Sequence, residues 1–421
     1  MSQQPARKTV FLNLGLFQFL SFVRRGVFYT FMINYLFMLM KTVTYTTLLG
    51  TMNMVASALG QNLIWGKISD KHRLRAELVI AGEAVAAAFY FIVYLIHKTL
   101  LNGQADFAAG LSLILGLSLL EFFWSMSDVG WAALLTDVTT SRNRGGIVGT
   151  LNFIASLGRM IGINFASFLY NGGQGFREGT IFYIVIAMLI TSAIIMTAAS
   201  RLIKKKNATT KSESLTNKDY DVSASYSSKK YKWFLASLII VVIGATCISQ
   251  VFLLFLQLPT GLSKSEAEMG LILTAWTLGG MLTSLTCGWI ADKIGKEKTL
   301  LVGLVLAILT PLGYSLSTDF FFIAAVYGLN GVSFWTVQTV GFALAGDIIP
   351  EDKRGRLFSR YNTVMALSWG PSGLLVGGPL ADLQTQILGL PTNIAYINTF
   401  YASSIIVAVG TALFATKVAK R

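Results

Sequence analysis

The sequence predicts an all-α membrane protein, with twelve transmembrane helices in two pseudo-symmetric six-helix bundles. Three observations carry this reading: an apolar composition, an alternation of charge from loop to loop, and an internal repeat. Of the 421 residues, 54% are hydrophobic and only 13% charged, with a mean hydropathy of +0.61, whereas a soluble domain carries about 25% charge. A bilayer span takes roughly 20 mostly apolar residues, and twelve such stretches follow one another here, joined by short polar turns.

The net charge of +14 does not point to nucleic acid, because the basic residues sit in alternate loops rather than along one face. About 27 Lys and Arg fall on one side and about 4 on the other. Cytoplasmic loops carry the positive excess, so both termini and the long central loop are expected in the cytoplasm and the protein in the cell membrane. An even number of spans agrees.

The expected spans are 10–40, 42–66, 75–97, 107–135, 144–170, 178–200, 233–257, 267–290, 299–317, 320–346, 356–381 and 393–416. The first is apolar for about 30 residues, longer than the roughly 7–15 of a signal peptide's apolar core, and is read as a retained helix. Residues 201–232 are rich in Lys, Ser, Thr and Asn and too polar to repay their ordering entropy. They divide the chain into an N-terminal half, 1–200, a cytoplasmic linker, 201–232, and a C-terminal half, 233–421. The two cysteines, Cys247 and Cys287, lie within helices and form neither a disulfide framework nor a metal site.

The halves repeat each other. Phe123-Trp124-Ser125 and Val129-Gly130 in the fourth helix are matched by Phe334-Trp335-Thr336 and Val340-Gly341 in the tenth, at an offset of 211. Arg144-Gly145 and Asn152 match Arg354-Gly355 and Asn362 at an offset of 210. Parallel duplication, with a site between halves near the midplane, is one building plan of secondary transporters.

The second and third helices are joined by Gly66-Lys-Ile-Ser-Asp70-Lys71-His-Arg73-Leu-Arg75, and the eighth and ninth by Gly288-Trp-Ile-Ala-Asp292-Lys293-Ile-Gly295-Lys296. Glycine permits close helix approach, the carboxylate can serve a helix N-terminus, and the cations can serve C-terminal carbonyls. These loops resemble the G-x-L-[AS]-D-[RK]-x-G-R-[RK] signature of the major facilitator superfamily, and helix count, repeat and central loop extend the likeness over the whole chain. The first copy departs from the pattern: Arg73 stands for its second glycine and Leu74 for its arginine, leaving Arg75 as the substitute cation.

The resemblance implies secondary transport of a small molecule by rocking of two halves, without a cofactor or a metal. It also implies that helices one, four, seven and ten line a central cavity. Gly66, Asp70, Lys71, Gly288, Asp292, Lys293, Asp347 and Arg354 would then be gating residues in loops that latch and release. Gly370-Pro371 and Gly377-Gly378-Pro379 in helix eleven, against Gly158-Arg159 and Gly162 in helix five, resemble the Gly-Pro element of exporter-type members, with Arg159 in place of its proline. Glycines so spaced more often serve helix packing.

Ionisable residues inside a membrane are costly and therefore candidates for function. They are Arg24 and Arg25 in helix one, Glu83 in helix three, Glu121 and Asp128 in helix four, and Arg159 in helix five. At 1.5 Å per residue, Arg24, Arg25, Glu121 and Arg159 reach a depth of about 20–23 Å, and Glu83 and Asp128 about 12 Å. Glu121 is therefore expected to pair with an arginine and Asp128 to lack one, which makes Asp128 the first candidate proton carrier, ahead of Glu121 and Glu83. Arg24 and Arg25, about 100° apart on the helix, cannot both face a cavity.

Glu121, Ser125 and Asp128 share one helical face, whereas their matches in helix ten are Val332, Thr336 and Thr339. Titratable groups are thus confined to the first half. Arg24, Arg25, Trp124, Ser125 and Arg159 there, and Gln250, Asn330, Thr336 and Gln338 in the second half, are the candidate substrate contacts. Each has a plainer alternative, in that Arg159 with Glu121 could only fasten two helices and the aromatic residues could only pack.

The leading functional reading is a proton-coupled exporter of amphipathic organic compounds, acting as a monomer in the bilayer. The alternatives are an importer or exchanger of an anionic, sugar-like or lipid-linked solute bound by the arginines, and a non-transporting sensor or scaffold of the same fold. An enzyme is disfavoured, since there is no His-Glu-x-x-His, nucleophile elbow or nucleotide-binding loop, and His72 and His97 lie near opposite faces.

Overall fold

Apolar stretches in a bilayer must satisfy every backbone group internally, and this chain does so by helix alone among its described residues. The computed structural model describes residues 3–139, 144–209, 228–350 and 354–419. Among these, twelve helical spans occur in order: α1 (3–40), α2 (43–72), α3 (Ala76–Asn102), α4 (Asp106–Val138), α5 (Arg144–Tyr170), α6 (Thr180–Thr209), α7 (228–257), α8 (Glu266–Ile294), α9 (Lys296–Gly313), α10 (Phe320–Ile348), α11 (354–387) and α12 (392–419). Eight are individually long and apolar enough to cross a membrane, and α11 adds a ninth as two arms bent by 41°. The others are special for visible reasons: α1 is interrupted, α2 is rich in Thr, Asn and Gln, and α9 opens with Lys296-Glu297-Lys298.

The interruptions have local causes. In α1 the helix breaks at Thr30 and Phe31, where the Thr30 hydroxyl donates to the Gly26 carbonyl at 2.5 Å. In α7 it breaks at Cys247 and Ile248, where Thr246 donates to the Val242 carbonyl at 2.7 Å. Hydroxyls that back-bond to the preceding turn loosen the backbone ladder and bend helices. Helix starts are capped in the usual way: Ser265 and Glu268 form a capping box at α8, and the Asp319 carboxylate accepts from the Phe322 amide at α10.

The chain forms two compact units, residues 1–35 with 55–220, and residues 36–54 with 221–421. In the first, α1 packs on α5 and α6, α3 on α4 and α6, and α2 on α4. In the second, the same scheme recurs six helices later: α7 with α11 and α12, α9 with α10 and α12, and α8 with α10. The sequence repeat is therefore a repeat of packing. The C-terminal end of α1 and the first turns of α2, 36–54, belong to the second unit. The core of the first unit gathers Val10, Leu14, Phe17, Val79, Leu134, Leu151 and Met196, with a separate aromatic cluster around Phe28, Tyr90, Phe176 and Phe182. His97 is wholly buried beside it: Nδ1 lies 3.1 Å from the Ala109 carbonyl and Nε2 2.7 Å from the Tyr35 hydroxyl. A carbonyl only accepts, so Nδ1 carries the proton and the ring pins α1 to α3 and α4.

Candidate functional site

The site of the first unit is built around Trp124. α3 and α4 lie close because a Cβ on Gly82 would come within 2.8 Å of the Ser127 Cβ, so the next residue, Glu83, is pressed against α4 with no exposed surface. Its Oε1 accepts from the Trp124 indole N–H at 2.8 Å and from the Ser127 hydroxyl at 2.9 Å. Trp124 and Ser127 stand three apart and so share a face of α4. On the same indole lie two guanidinium groups, Arg24 at 4.7 Å and Arg25 at 4.4 Å from the ring centroid. Such cation–π contacts contribute about 0.5–2 kcal/mol each, more as water is excluded.

Asp128, one turn beyond Trp124, completes the chain of contacts: the Arg25 Nη2 lies 3.4 Å from its Oδ1, and the two side chains are 35% and 40% exposed. This corrects the expectation that Asp128 lacks an arginine. Depth counted along a helix axis ignores the length of an arginine side chain, which spans the difference in level. The two arginines also divide as neighbours on a helix must, with Arg24 buried (2% exposed) and Arg25 partly exposed. Within the buried part, Arg24 Nε and Nη2 and Glu83 Oε2 have no hydrogen-bond partner among the described residues, and the Tyr90 hydroxyl lies in hydrogen-bonding reach of Tyr29 and Arg24. Arg24 lies within electrostatic range of Glu83, Tyr90 and Glu121.

Glu121 is half-buried, with Ser57 in hydrogen-bonding reach and Asp128, Arg25 and Arg24 as its charged neighbours. Ser125 is fully buried and donates to the Phe122 carbonyl at 2.8 Å, so it serves the contact of α4 with α2 around Gly60. Arg159 has an exposed side chain, and its backbone meets α1 where Gly26 and Gly162 cross. The structure thus brings Arg24, Arg25, Glu83, Glu121, Trp124 and Asp128 together, with Ser125 taken up in the contact with α2. Ser127 and Tyr90 escaped the sequence reading. Their signal was spacing alone, Ser127 lying one turn from Trp124.

In the second unit Asn330 and Thr336 are held by neighbouring groups, whereas the Gln250 Oε1 is buried without a hydrogen-bond partner among the described residues. Asn330 accepts from the Trp276 indole at 3.1 Å and donates to Thr310 at 3.2 Å, and Thr336 is buried and bonded to the Val332 carbonyl at 2.8 Å. Gln250 is half-buried between Gly50 and Gly373, and Gln338 is half-buried on α10.

The loop motifs form two matching knots. In the first unit Arg75 joins Asp137 at 3.1 Å, Asp70 at 3.7 Å and both oxygens of Ser69 at 2.9 and 2.6 Å. In the second, Lys296 joins Asp347 at 2.7 Å and Lys230 joins Glu297 at 2.8 Å. Asp137 and Asp347 are repeat partners, and Arg75 reaches the first from one position later than the motif arginine would. Arg73 adopts a left-handed backbone at φ 51° where Gly295 has φ 94°, so Arg73 is the strained residue that replaces the motif's helix-ending glycine.

Lys293 lies 3.6 Å over Trp289. Asp292 is exposed on a cavity of about 480 Å³ that Lys230, Lys296, Glu297 and Asp347 also line. Lys71 lies in the last turn of the short helical stretch Gly66–His72. Close approach does not explain the two glycines: a Cβ on Gly66 would meet its own helix at the Gln61 carbonyl, and one on Gly288 nothing within 4 Å among the described residues. The side chain of Arg354 and residues 210–227 of the linker lie outside the described residues.

A family model described as the Major Facilitator Superfamily matches residues 14–370 and 234–421. The multi-drug resistance efflux pump PmrA homolog of Lactococcus lactis is 24% identical over 318 residues, 76% of this chain and 74% of that protein. The putative metabolite transport protein YncC of Bacillus subtilis is 30% identical over 137 residues, 32% of this chain and 27% of that protein. Among solved structures, a bacterial homologue of the human lysosomal transporter spinster superposes with a TM-score of 0.69 at 13% identity, covering 98% of this chain and 97% of that one. The nucleoside transporter NupG superposes with 0.68 at 15% identity, covering 96% and 99%. At such identities the superpositions establish the fold.

Proposed function

Because this chain belongs to the major facilitator superfamily and is a multi-pass membrane transporter rather than an enzyme, we propose that it exports amphipathic organic compounds in exchange for protons, by alternating access. The observation that carries the proposal is the Arg25–Asp128 pair, partly exposed on one side of an indole whose N–H is held by a fully buried Glu83. A carboxylate facing an arginine can be neutralised by that arginine, by a proton or by a cationic group of a ligand. At one carboxylate these exclude one another, and mutual exclusion of proton and substrate is what antiport requires. Trp124 offers the apolar part of an amphipathic ligand a rigid face, and Glu121 supplies a second acid within the same field. The efflux function named for the Lactococcus lactis relative supports the direction.

On the loop charges, both termini and 201–232 belong in the cytoplasm of a cell-membrane protein, and the Arg75 and Lys296 knots belong at that face. They would hold the gating residues in register within each unit.

One observation favours a second reading. Arg24 has two buried guanidinium nitrogens, Nε and Nη2, without a partner among the described residues, which an anionic group could satisfy, as in an importer or exchanger of an anionic, sugar-like or lipid-linked solute. A single screen decides between them: purified protein in proteoliposomes under an imposed pH gradient, scored for movement of both candidate solutes and protons. Gradient-driven movement of organic cations with opposite proton flux supports export. Movement of anions alone supports the second reading, and no flux of either contradicts both.

A further inference from the structure

α2 begins in an unusual way. The first amides of a helix have no partner within it, and the residue before Val43 is Thr42, a type that normally caps from its own chain. Here the Thr42 hydroxyl is buried without a partner among the described residues. The amides are taken instead by Asp382 of α11, whose Oδ1 accepts from Val43 N–H at 2.9 Å and Oδ2 from Thr44 N–H at 2.7 Å. A carboxylate there satisfies two donors and meets the positive end of the helix dipole, which makes it a charge-assisted contact.

The surroundings are shaped for this meeting. Asp382 lies between two wide-turn π-helical segments, Gly373–Gly377 and Leu383–Ile387, and such segments frequently mark functional positions in helices. Below it a glycine face on α11 receives one face of α2. A Cβ on Gly378 would fall 2.7 Å from the Thr44 Cα, one on Gly373 3.2 Å from Thr47, and one on Gly370 2.7 Å from the Met54 Cβ. The Thr51 hydroxyl lies 3.3 Å from the Gly370 carbonyl. Residues 44, 47, 51 and 54 fall on one side of the helix.

α2 is also the helix whose two parts belong to different compact units, 43–54 to the second and 55–72 to the first. A movement of one unit must either bend α2 or separate its first turns from α11. The contact consists of the two short hydrogen bonds to Asp382, the longer one from Thr51 to the Gly370 carbonyl and a smooth glycine face, with no ion pair on Asp382 among the described residues, so it can open once water replaces these donors.

We propose that Asp382 is a gating residue, a cap borrowed by α2 from α11 that is closed in one state of the transport cycle and released in the other. This rests on the alternating-access reading above.

Thr47, 1% exposed under Gly373, is the reporter. A cysteine at Thr47, with Cys247 and Cys287 replaced by alanine, is labelled by a membrane-impermeant maleimide added outside intact cells. A control cysteine at Ser333, buried on α10, reports general loosening. Asp382→Asn removes the charge, and Val43→Pro removes one donor at the first helical position, where proline is tolerated. Each should raise labelling at 47 about tenfold while leaving 333 unchanged. The double variant should equal Asp382→Asn alone, and Asp382→Glu should restore much of the protection.

Unchanged labelling at 47 in both single variants, additive effects in the double variant, or an equal rise at 333 would overturn the proposal. If Asp382→Asn does not fold, Val43→Pro still decides. Labelling needs no known substrate, so failure of the latch and failure of the transport reading are separate outcomes.

Discussion

Trp124 and Trp335 occupy the same place in the repeat, yet their surroundings have nothing chemical in common. Trp124 is 4% exposed, donates to a buried glutamate and lies under two guanidinium groups. Trp335 is 36% exposed and touches other aromatic rings, Phe334 at 6.0 Å and Trp276 at 6.5 Å. Opposite them, α3 carries Glu83, whereas α9 has no ionisable residue beyond Lys298. The helix-packing scheme is shared by both units, so the scaffold does not require the charges. What the first unit adds is a group of ions whose retention in an apolar interior needs another reason, and coupling is the one proposed.

The comparison breaks most sharply at Glu83. Glu83→Ala leaves Trp124 and Ser127 without an acceptor and removes a buried carboxylate within electrostatic range of Arg24, and breaking such a buried set costs about 3–5 kcal/mol. Little folded protein is expected, read as loss of the monodisperse fraction in detergent. Glu83→Gln keeps an acceptor oxygen and should fold. In the second unit, Asn330→Ala strands the indole N–H of a half-buried Trp276, and should cost only about 1–2 kcal/mol by thermal unfolding.

The loop knots give a smaller contrast. Arg75→Ala removes contacts to Asp137, Asp70 and Ser69 together, whereas Lys296→Ala removes one exposed pair, worth about 0.2–1 kcal/mol. The first should lower the unfolding temperature more than the second, and equal losses would show that Arg75 acts as a single pair. Arg73→Gly is the smallest effect and has the opposite sign. Relief of left-handed strain, less the entropy of an added glycine, should stabilise the protein by about 0.5–1 kcal/mol.

Much of this architecture is legible in the sequence because it depends on long averages. Hydropathy, loop charge and the 211-residue offset each sum over many residues, so the helix series, the pseudo-symmetry and the gathering of charge in the first half could be read directly. Pairing could not. The expected partner of Glu121 was chosen by depth, but Arg25 reaches Asp128, because a side chain several ångströms long is invisible to a count along the axis. Asp382 was overlooked for a related reason. The apolar run of the eleventh helix stops at 381, whereas the chain stays helical through two π segments to Ile387, which brings the acid to the start of α2. Arg73 shows the converse: a departure from a glycine pattern pointed to a backbone position that the structure finds in the left-handed region.

The central claim, that the Arg25–Asp128 pair beside Trp124 couples solute to protons, is tested most directly by Asp128→Asn in proteoliposomes. Accumulation under an imposed pH gradient and solute exchange without a gradient are measured on the same preparation. Loss of gradient-driven accumulation with exchange retained is the predicted result, since the amide still meets Arg25 but carries no proton through the cycle. Full gradient-driven accumulation by Asp128→Asn would contradict it and move the proton to Glu83 or Glu121.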